Sequence, residues 1–263
     1  MIHIQVLDTT MVESKFTLEE QMMARAISNA TKARPRCMPN PWVGAVLVSS
    51  DGQTFDGFTQ EFGSGHAETV CLDEAGRKAQ GATLYVTLEP CSHSGKTGPC
   101  VERIIESRIS RVVIGMKDPD RQVCGEGIKS LQNAGVDVVV GVLEDLVAEQ
   151  LAPYVHHRNT GRPYVILKIA TTLDGKVAAP DGSSQWITGA QARREGHKLR
   201  AYSDAICVGR GTVISDNPQL TVRDWSADDD IDKNLDPRRI VLGNVPAEAC
   251  LLYTSDAADE YSG

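Results

Sequence analysis

His66-Ala67-Glu68, Pro90-Cys91 and Pro99-Cys100 are the parts of this chain whose residue types invite metal chemistry. One imidazole nitrogen and two thiolates make three ligands for zinc. Three protein ligands leave the fourth tetrahedral position to water, the arrangement of a catalytic rather than a structural site. Two thiolates cancel the ion's formal charge, so the metal is a weaker Lewis acid than in an all-His site. A nearby base then helps to take the water's proton, and Glu68, two residues beyond His66, is placed for that work without ligating. Taken singly these signals are weak: a lone His-x-Glu is not a motif, and a lone Cys is most often a small buried hydrophobe. A structural site closed by a fourth ligand from His93, Cys71 or Cys124 is the alternative that the residue types leave open.

Convergence of the three depends on the elements that carry them. Thr17-Leu18-Glu19-Glu20 is a capping-box pattern that opens a helix running to about Ala33. Pro35, Pro39 and Pro41 then forbid helix and extend the chain around Asn40. Strands are expected at Val43–Val48, about Phe55–Phe58, Thr83–Thr87, Arg111–Gly115 and Val136–Val140, with helices at His66–Ala79, Pro99–Ser107, Gly127–Asn133 and Glu144 to about Arg158. Strands separated by helices imply parallel pairing and an α/β layer fold. His66 then opens a helix after Gly63-Ser64-Gly65, Cys91 follows a strand end, and Cys100 starts the next helix. The crevice beyond strand carboxyl ends is where α/β sites form. Helix starts also favour thiolate over thiol.

Asn159-Thr160-Gly161-Arg162-Pro163 reads as a linker, after which come a strand at Tyr164–Ala170, a helix near Ala190–Tyr202, a strand near Ala205–Val208 and an acidic loop at Trp225–Asp236. The expected domains are therefore 17–158 and 163–249. The stretch Cys250–Asp259 resembles a translated sequencing adapter, so 250–263 is expected to be a non-native tail.

Composition narrows the function. The 263 residues suit about two domains, and 41% hydrophobic with 24% charged residues is ordinary globular composition. Lys and Arg number 27 against 35 Asp and Glu, a net charge of -8, and aromatics are 5%. Such a chain is a poor nucleic-acid partner, lacking both the clustered cations and the stacking platforms. No apolar run reaches membrane-span length. The first ten residues show no basic segment followed by an apolar one, so no export signal is expected. Seven Cys, an odd number, then suggest reduced thiols and a cytoplasmic protein.

His-x-Glu followed by Pro-Cys and a further Cys is similar to the zinc-dependent cytidine and nucleobase deaminases. Most of these place two residues between the Cys; here eight intervene, Ser92 to Pro99. That loop, preceded by Tyr85-Val86-Thr87-Leu88-Glu89-Pro90, resembles the bifunctional riboflavin-biosynthesis deaminase/reductase family. So do Pro39-Asn40-Pro41-Trp42-Val43-Gly44, Lys168 to Gly175, Ser184 to Thr188 and Asp216 to Arg223, over about residues 20–245.

The resemblance implies a cytidine-deaminase-like three-layer α/β/α domain followed by a partial dihydrofolate-reductase-like α/β domain. It implies hydrolytic deamination of a pyrimidine carrying ribosylamino 5-phosphate, then NADPH-dependent reduction of ribosyl to ribityl, by a cytoplasmic homo-oligomer. His66, Cys91 and Cys100 would hold Zn2+, Glu68 would shuttle the proton, and Asn40, His93 and Lys96 would hold the substrate. Ala170, Trp186, Thr212 and Asp216 match cofactor-side positions of the reductase. Lys168, Ser184, Arg200, Leu220 and Arg223 match its substrate side. Gly98 and Thr59 depart from the family, Thr59 standing where many members have a His near the substrate. Reductases of this kind are longer than 163–249, so the sequence leads us to expect deamination without reduction. A tRNA adenosine or free-base deaminase is the rival enzyme, and a zinc-stabilised interaction module the rival of another class.

Overall fold

The computed structural model describes residues 16–252 apart from 94–97, 122, 185, 224 and 226–235. The chain divides into two units, 1–165 and 166–263.

Among the described residues the first element is α1, Leu18–Ala33, capped as a capping box: Thr17 Oγ1 accepts from the Glu20 N–H while the Glu20 carboxylate accepts from the Thr17 N–H. Five strands follow: β1 Gly44–Val48, β2 Thr54–Phe58, β3 Thr83–Leu88, β4 Arg111–Met116 and β5 Asp137–Val140. They form one sheet in the order β2-β1-β3-β4-β5. β1 runs antiparallel to both β2 and β3, while β3, β4 and β5 are parallel. The helices between them are α2 Ala67–Ala75, α3 Cys100–Glu106 and α4 Glu126–Asn133, and α5 Glu144–Gln150 and α6 Ala152–Thr160 follow β5.

β3 and β4 are apolar and almost wholly buried, which requires cover on both faces. Alternate side chains divide between two layers. Val46, Tyr85 and Val113 pack with Met23 and Ala26 of α1. Ala45, Leu47, Leu84, Val86, Val112 and Ile114 pack with Cys71 and Leu72 of α2, Val101 and Ile104 of α3, and Leu131 of α4. The result is the expected α/β/α layering.

Several elements differ from expectation. The helix expected from Glu144 to Arg158 is two, broken at Leu151, because Pro153 has no N–H to continue the ladder and fits only a first turn. The α-helix expected to Ala79 ends at Gly76, with φ +53, and continues as one 3-10 turn. α6 runs into the expected linker as far as Thr160 and is closed by Gly161 in the left-handed region. No strand forms at Tyr164–Ala170. Its apolar side chains stand in solvent, with Val165 and Leu167 about four-fifths exposed. A strand exists only where another backbone completes its hydrogen bonds, and no described strand lies beside this segment.

The second unit holds α7 Ala190–Ala201, β6 Ala205–Gly209, α8 Arg210–Asp216 and β7 Arg238–Leu242. β6 and β7 pair in parallel, Ala205 opposite Arg238 through Gly209 opposite Leu242. Its core is small: Val213, Ala249 and Leu251, flanked by Val208, Val241 and Val245. Cys250–Leu252 forms a 3-10 turn, and the rest of the expected tail, 253–263, lies outside the described residues. No helix among the described residues is long and apolar enough to cross a membrane.

Candidate metal centre and active site

The site forms at the carboxyl end of β3. β1 runs antiparallel to β3, so its start lies at the same end. The Gly44 N–H donates to Thr87 Oγ1 at 3.1 Å, and Gly44 pairs with Phe58 at the close of β2. The chain segments before β1, after β2 and after β3 therefore meet there.

α2 supplies His66 and Glu68. His66 is its N-cap residue and Glu68 lies in its first turn. The helix approaches β2 closely because position 57 is glycine. A Cβ there would collide with the Ala67 carbonyl oxygen and sit 2.6 Å from Cys71 Sγ. Cys91 leaves the end of β3 through Glu89-Pro90, and Cys100 is the first residue of α3. The two ligand segments are stitched together: the Val101 N–H donates to the Cys91 carbonyl at 3.2 Å, and the Cys100 N–H to Cys91 Sγ at 3.4 Å.

His66 Nδ1 lies 3.6 Å from Cys91 Sγ and 3.3 Å from Cys100 Sγ. All three ligand atoms fall within 4.8 Å of one another. Tetrahedral zinc with bonds of about 2.0 Å to N and 2.3 Å to S needs an N···S separation of about 3.5 Å, so the residues present fit the ion. Among the described residues no fourth side chain joins this group. Cys71 Sγ is turned to the Phe55 carbonyl at 3.4 Å, and Cys124 and His93 are exposed.

Charge at the site asks for a cation. The Cys91 thiol is pulled down to about 4, chiefly by the hydrogen bond from the Cys100 thiol. Cys100 is pushed well up, first because it keeps the proton it shares with Cys91 and then by burial. The His66 imidazole is raised, first by its hydrogen bond to Cys91. Burial, with the Cys91 thiolate behind it, pushes Glu68 up to about 6. Two thiols and a carboxyl thus crowd one imidazole in a half-buried site. A divalent ion relieves what a single imidazolium cannot.

The other expected site residues are distributed unevenly. Asn40 is partly buried, its N–H bonded to the Cys37 carbonyl at 2.8 Å, in the segment that enters β1 at the site's end of the sheet. Lys96 lies outside the described residues. Thr59 is buried, and its hydroxyl is occupied by the Val43 backbone, accepting from the N–H at 3.1 Å. In the second unit Arg200, Leu220 and Arg223 lie along one stretch. Arg200 Nη1 donates to the Thr221 carbonyl at 2.9 Å, Arg223 Nη1 to Thr221 Oγ1 at 2.9 Å, and Leu220 is buried with φ +60. Lys168, Ala170, Ser184, Trp186, Thr212 and Asp216 share no hydrogen bond or ion pair with one another among the described residues. Trp186 is 70% exposed, its ring under the Arg193 guanidinium at 4.3 Å.

Sequence reasoning missed Glu89 and Asp118. Both are buried carboxylates beside the strand ends that build the site. The one signal was an acidic residue directly before Pro90-Cys91, in a run otherwise apolar.

Comparison with known proteins matches residues 17–116 to the cytidine and deoxycytidylate deaminase zinc-binding region. Residues 163–259 match the RibD C-terminal domain. The riboflavin biosynthesis protein RibD of Aquifex aeolicus (strain VF5) is 43% identical over 243 residues, 91% of this chain and 67% of that protein. The Escherichia coli (strain K12) protein of the same name is 44% identical over 221 residues, 84% of this chain and 60% of that one. Among solved structures, Acinetobacter baumannii RibD superposes with a TM-score of 0.82 at 41% identity, covering 90% of this chain and 67% of that one. A Thermotoga maritima diaminohydroxyphosphoribosylaminopyrimidine deaminase/5-amino-6-(5-phosphoribosylamino)uracil reductase gives 0.78 at 43%, covering 86% and 63%. The chain thus spans between three-fifths and two-thirds of the length of these relatives.

Proposed function

Because the chain belongs to the RibD family, we propose that its first unit hydrolytically deaminates a diaminopyrimidine bearing ribosylamino 5-phosphate, within riboflavin biosynthesis. The observation that carries this is the His66–Cys91–Cys100 cluster with Glu68 buried beside it. Zinc held there supplies the Lewis acidity that makes a water acidic enough to attack at neutral pH. Glu68 does the proton work. Its carboxylate takes one proton from the attacking water and passes it to the ring nitrogen, then takes the remaining hydroxyl proton and gives it to the departing amino group. The C–N bond breaks, a carbonyl forms, and ammonia leaves. A carboxyl whose ordinary value is raised by burial is poised nearer neutral pH for both halves of this transfer. Asn40, braced between Pro39 and Pro41, orients the ring, and His93 with Lys96 takes the phosphate.

For the second unit we propose NADPH-dependent reduction of the deaminated product. Arg200 and Arg223 are its phosphate ligands, since a guanidinium stays charged and binds phosphate through two donors. Lys168, Ser184 and Leu220 complete the substrate side, and Ala170, Trp186, Thr212 and Asp216 the cofactor side. Of this set Arg200, Leu220 and Arg223 lie together, and Thr212 and Asp216 stand one turn apart on α8. Seven free cysteines suit a reducing cytoplasm. The exposed row Val165, Leu167 and Ile169 suits a homo-oligomer.

The test is ammonia release from the phosphorylated diaminopyrimidine by the wild-type chain and by Glu68→Gln. The variant should keep zinc and lose turnover by ~10²–10⁴-fold, the usual cost of an acid/base group. Near-wild-type turnover would sink Glu68's role. Wild-type protein with bound zinc and no ammonia release would sink the deaminase reading.

A further inference from the structure

Glu89 is 4% exposed, carries no ligand atom for the metal group and sits two residues before Cys91. Its carboxylate is fully used. Oε2 accepts the N–H of Asp118 at 3.2 Å and of Gly125 at 2.9 Å. Oε1 accepts the N–H of Gly127 at 3.0 Å and of Ile128 at 3.2 Å. A carboxylate offers about four acceptor sites, and here all four face backbone donors. Two of those donors belong to the first turn of α4, whose N–H groups have no partner within the helix. The charge also sits at the positive end of the α4 dipole.

The same place is tight on its other side. A Cβ at Gly127 would collide with the Pro90 carbonyl oxygen and approach Glu89 Oε1 to 3.2 Å. Pro90 has a fixed φ and no N–H of its own. The Glu89 N–H continues the β3–β4 ladder by donating to the Met116 carbonyl at 3.0 Å. The path from the last strand residue to Cys91 is therefore set by the Glu89 carboxylate clamp, the proline ring and the pressing of α4 against Pro90.

We propose that Glu89 is a positioning residue for the metal centre: by gripping the 118–128 backbone it fixes where Cys91 presents its sulfur, and so sets zinc affinity. The proposal rests on the metal-site reading above. It does not require Glu89 to touch substrate or metal.

Glutamine at 89 would keep the shape but turn an amide N–H toward two backbone N–H donors, so half the clamp opens. Partners that hold a ligand from behind typically change metal affinity 10–100-fold when altered. The experiment is zinc affinity of the full chain by competition with a chromophoric chelator, together with the sulfur-to-metal charge-transfer band of the Co2+-loaded protein. It compares wild type, Glu89→Gln, Glu89→Asp, Gly127→Ala and the remote core control Val46→Ala. We expect zinc affinity to fall at least 10-fold in Glu89→Gln and Gly127→Ala, with a weakened Co2+ charge-transfer band. Val46→Ala, which loosens the other face of the sheet, should leave both unchanged. If Glu89→Gln does not fold, Gly127→Ala carries the test, since it keeps the Glu89 side chain but forces Pro90 and α4 apart. Wild-type zinc affinity in Gly127→Ala together with either Glu89 variant would overturn the proposal and leave the metal site standing. A wild-type chain that binds no zinc would overturn the metal-site reading itself.

Discussion

Asp118 shows how much of this site is held by groups that do no chemistry. It is buried, and its carboxylate accepts the Tyr154 hydroxyl at 3.0 Å and the Asp120 N–H at 2.8 Å. Burial raises its pKa, while the Tyr154 hydroxyl pulls the other way by bonding the charged form. Asp118 therefore contributes to stability below its ordinary 3.8 and loses that contribution as pH rises through its higher folded value. Tyr154→Phe removes the donor that eases the charge. In chelator-treated protein we expect a loss of about 1 kcal/mol at pH 4 and about 2–3 kcal/mol at pH 8, where the bond is to a carboxylate. Urea titration at the two pH values measures this, and equal losses would show that the hydroxyl does not serve the charged form. Neither Asp118 nor Glu89 was legible in the sequence, although His66, Cys91 and Cys100 were singled out by type. A ligand is recognised by what its own atoms can bind. A brace is recognised by which backbone donors face it, and that is decided by how the chain enters α4, not by residue type.

The helices that carry the ligands depend on close backbone approach. α2 lies on β2 at Gly57, where the Ala67 carbonyl occupies the place of a side chain. Gly57→Ala must push the start of α2 outward and carry His66 with it. Overpacking of this kind costs about 1–3 kcal/mol. We expect that loss in thermal unfolding, accompanied by weaker zinc binding. Zinc affinity at the wild-type level would mean that α2 shifts without moving its N-cap. Strands β3 and β4 were readable because apolar runs bounded by turn residues, Gly81 before one and Ser110 before the other, leave few alternatives. The split at Leu151 was missed although Pro153 was visible, because the amphipathic pattern continues across it. Tyr164–Ala170 was misread for the opposite reason. Its apolar, β-branched run is that of a buried strand, but pairing is a property of two segments, and one sequence window holds only one of them.

The two units differ in how their chains are secured. In the first, two hydrophobic layers enclose a five-stranded sheet, and long-range side-chain bonds tie distant segments, as Gln150 Nε2 does to the Ile27 carbonyl at 2.8 Å. In the second, two strands and a three-residue buried cluster do that work. Between α6 and α7, residues 162–184 and 186–189 form neither helix nor strand. Lys168 and Lys176 are exposed there, amid exposed Val165, Leu167, Leu173 and Val177. Proteases cut where backbone is exposed and free of regular hydrogen bonding. Trypsin under native conditions should therefore cleave at Lys168 or Lys176 before Arg103 or Lys129 on the helices of the first unit. The fragment ending in this region keeps every strand of the first sheet together with His66, Glu68, Cys91 and Cys100. It should remain folded and retain its zinc, and at [Zn2+] of about 100 Kd the bound ion adds roughly 2.7 kcal/mol of protection to that fragment. Mass spectrometry of the early fragments, with metal analysis of the larger one, tests both parts. First cuts within 100–133, or loss of zinc on cleavage near 168, would show that the first unit does not hold its metal centre alone.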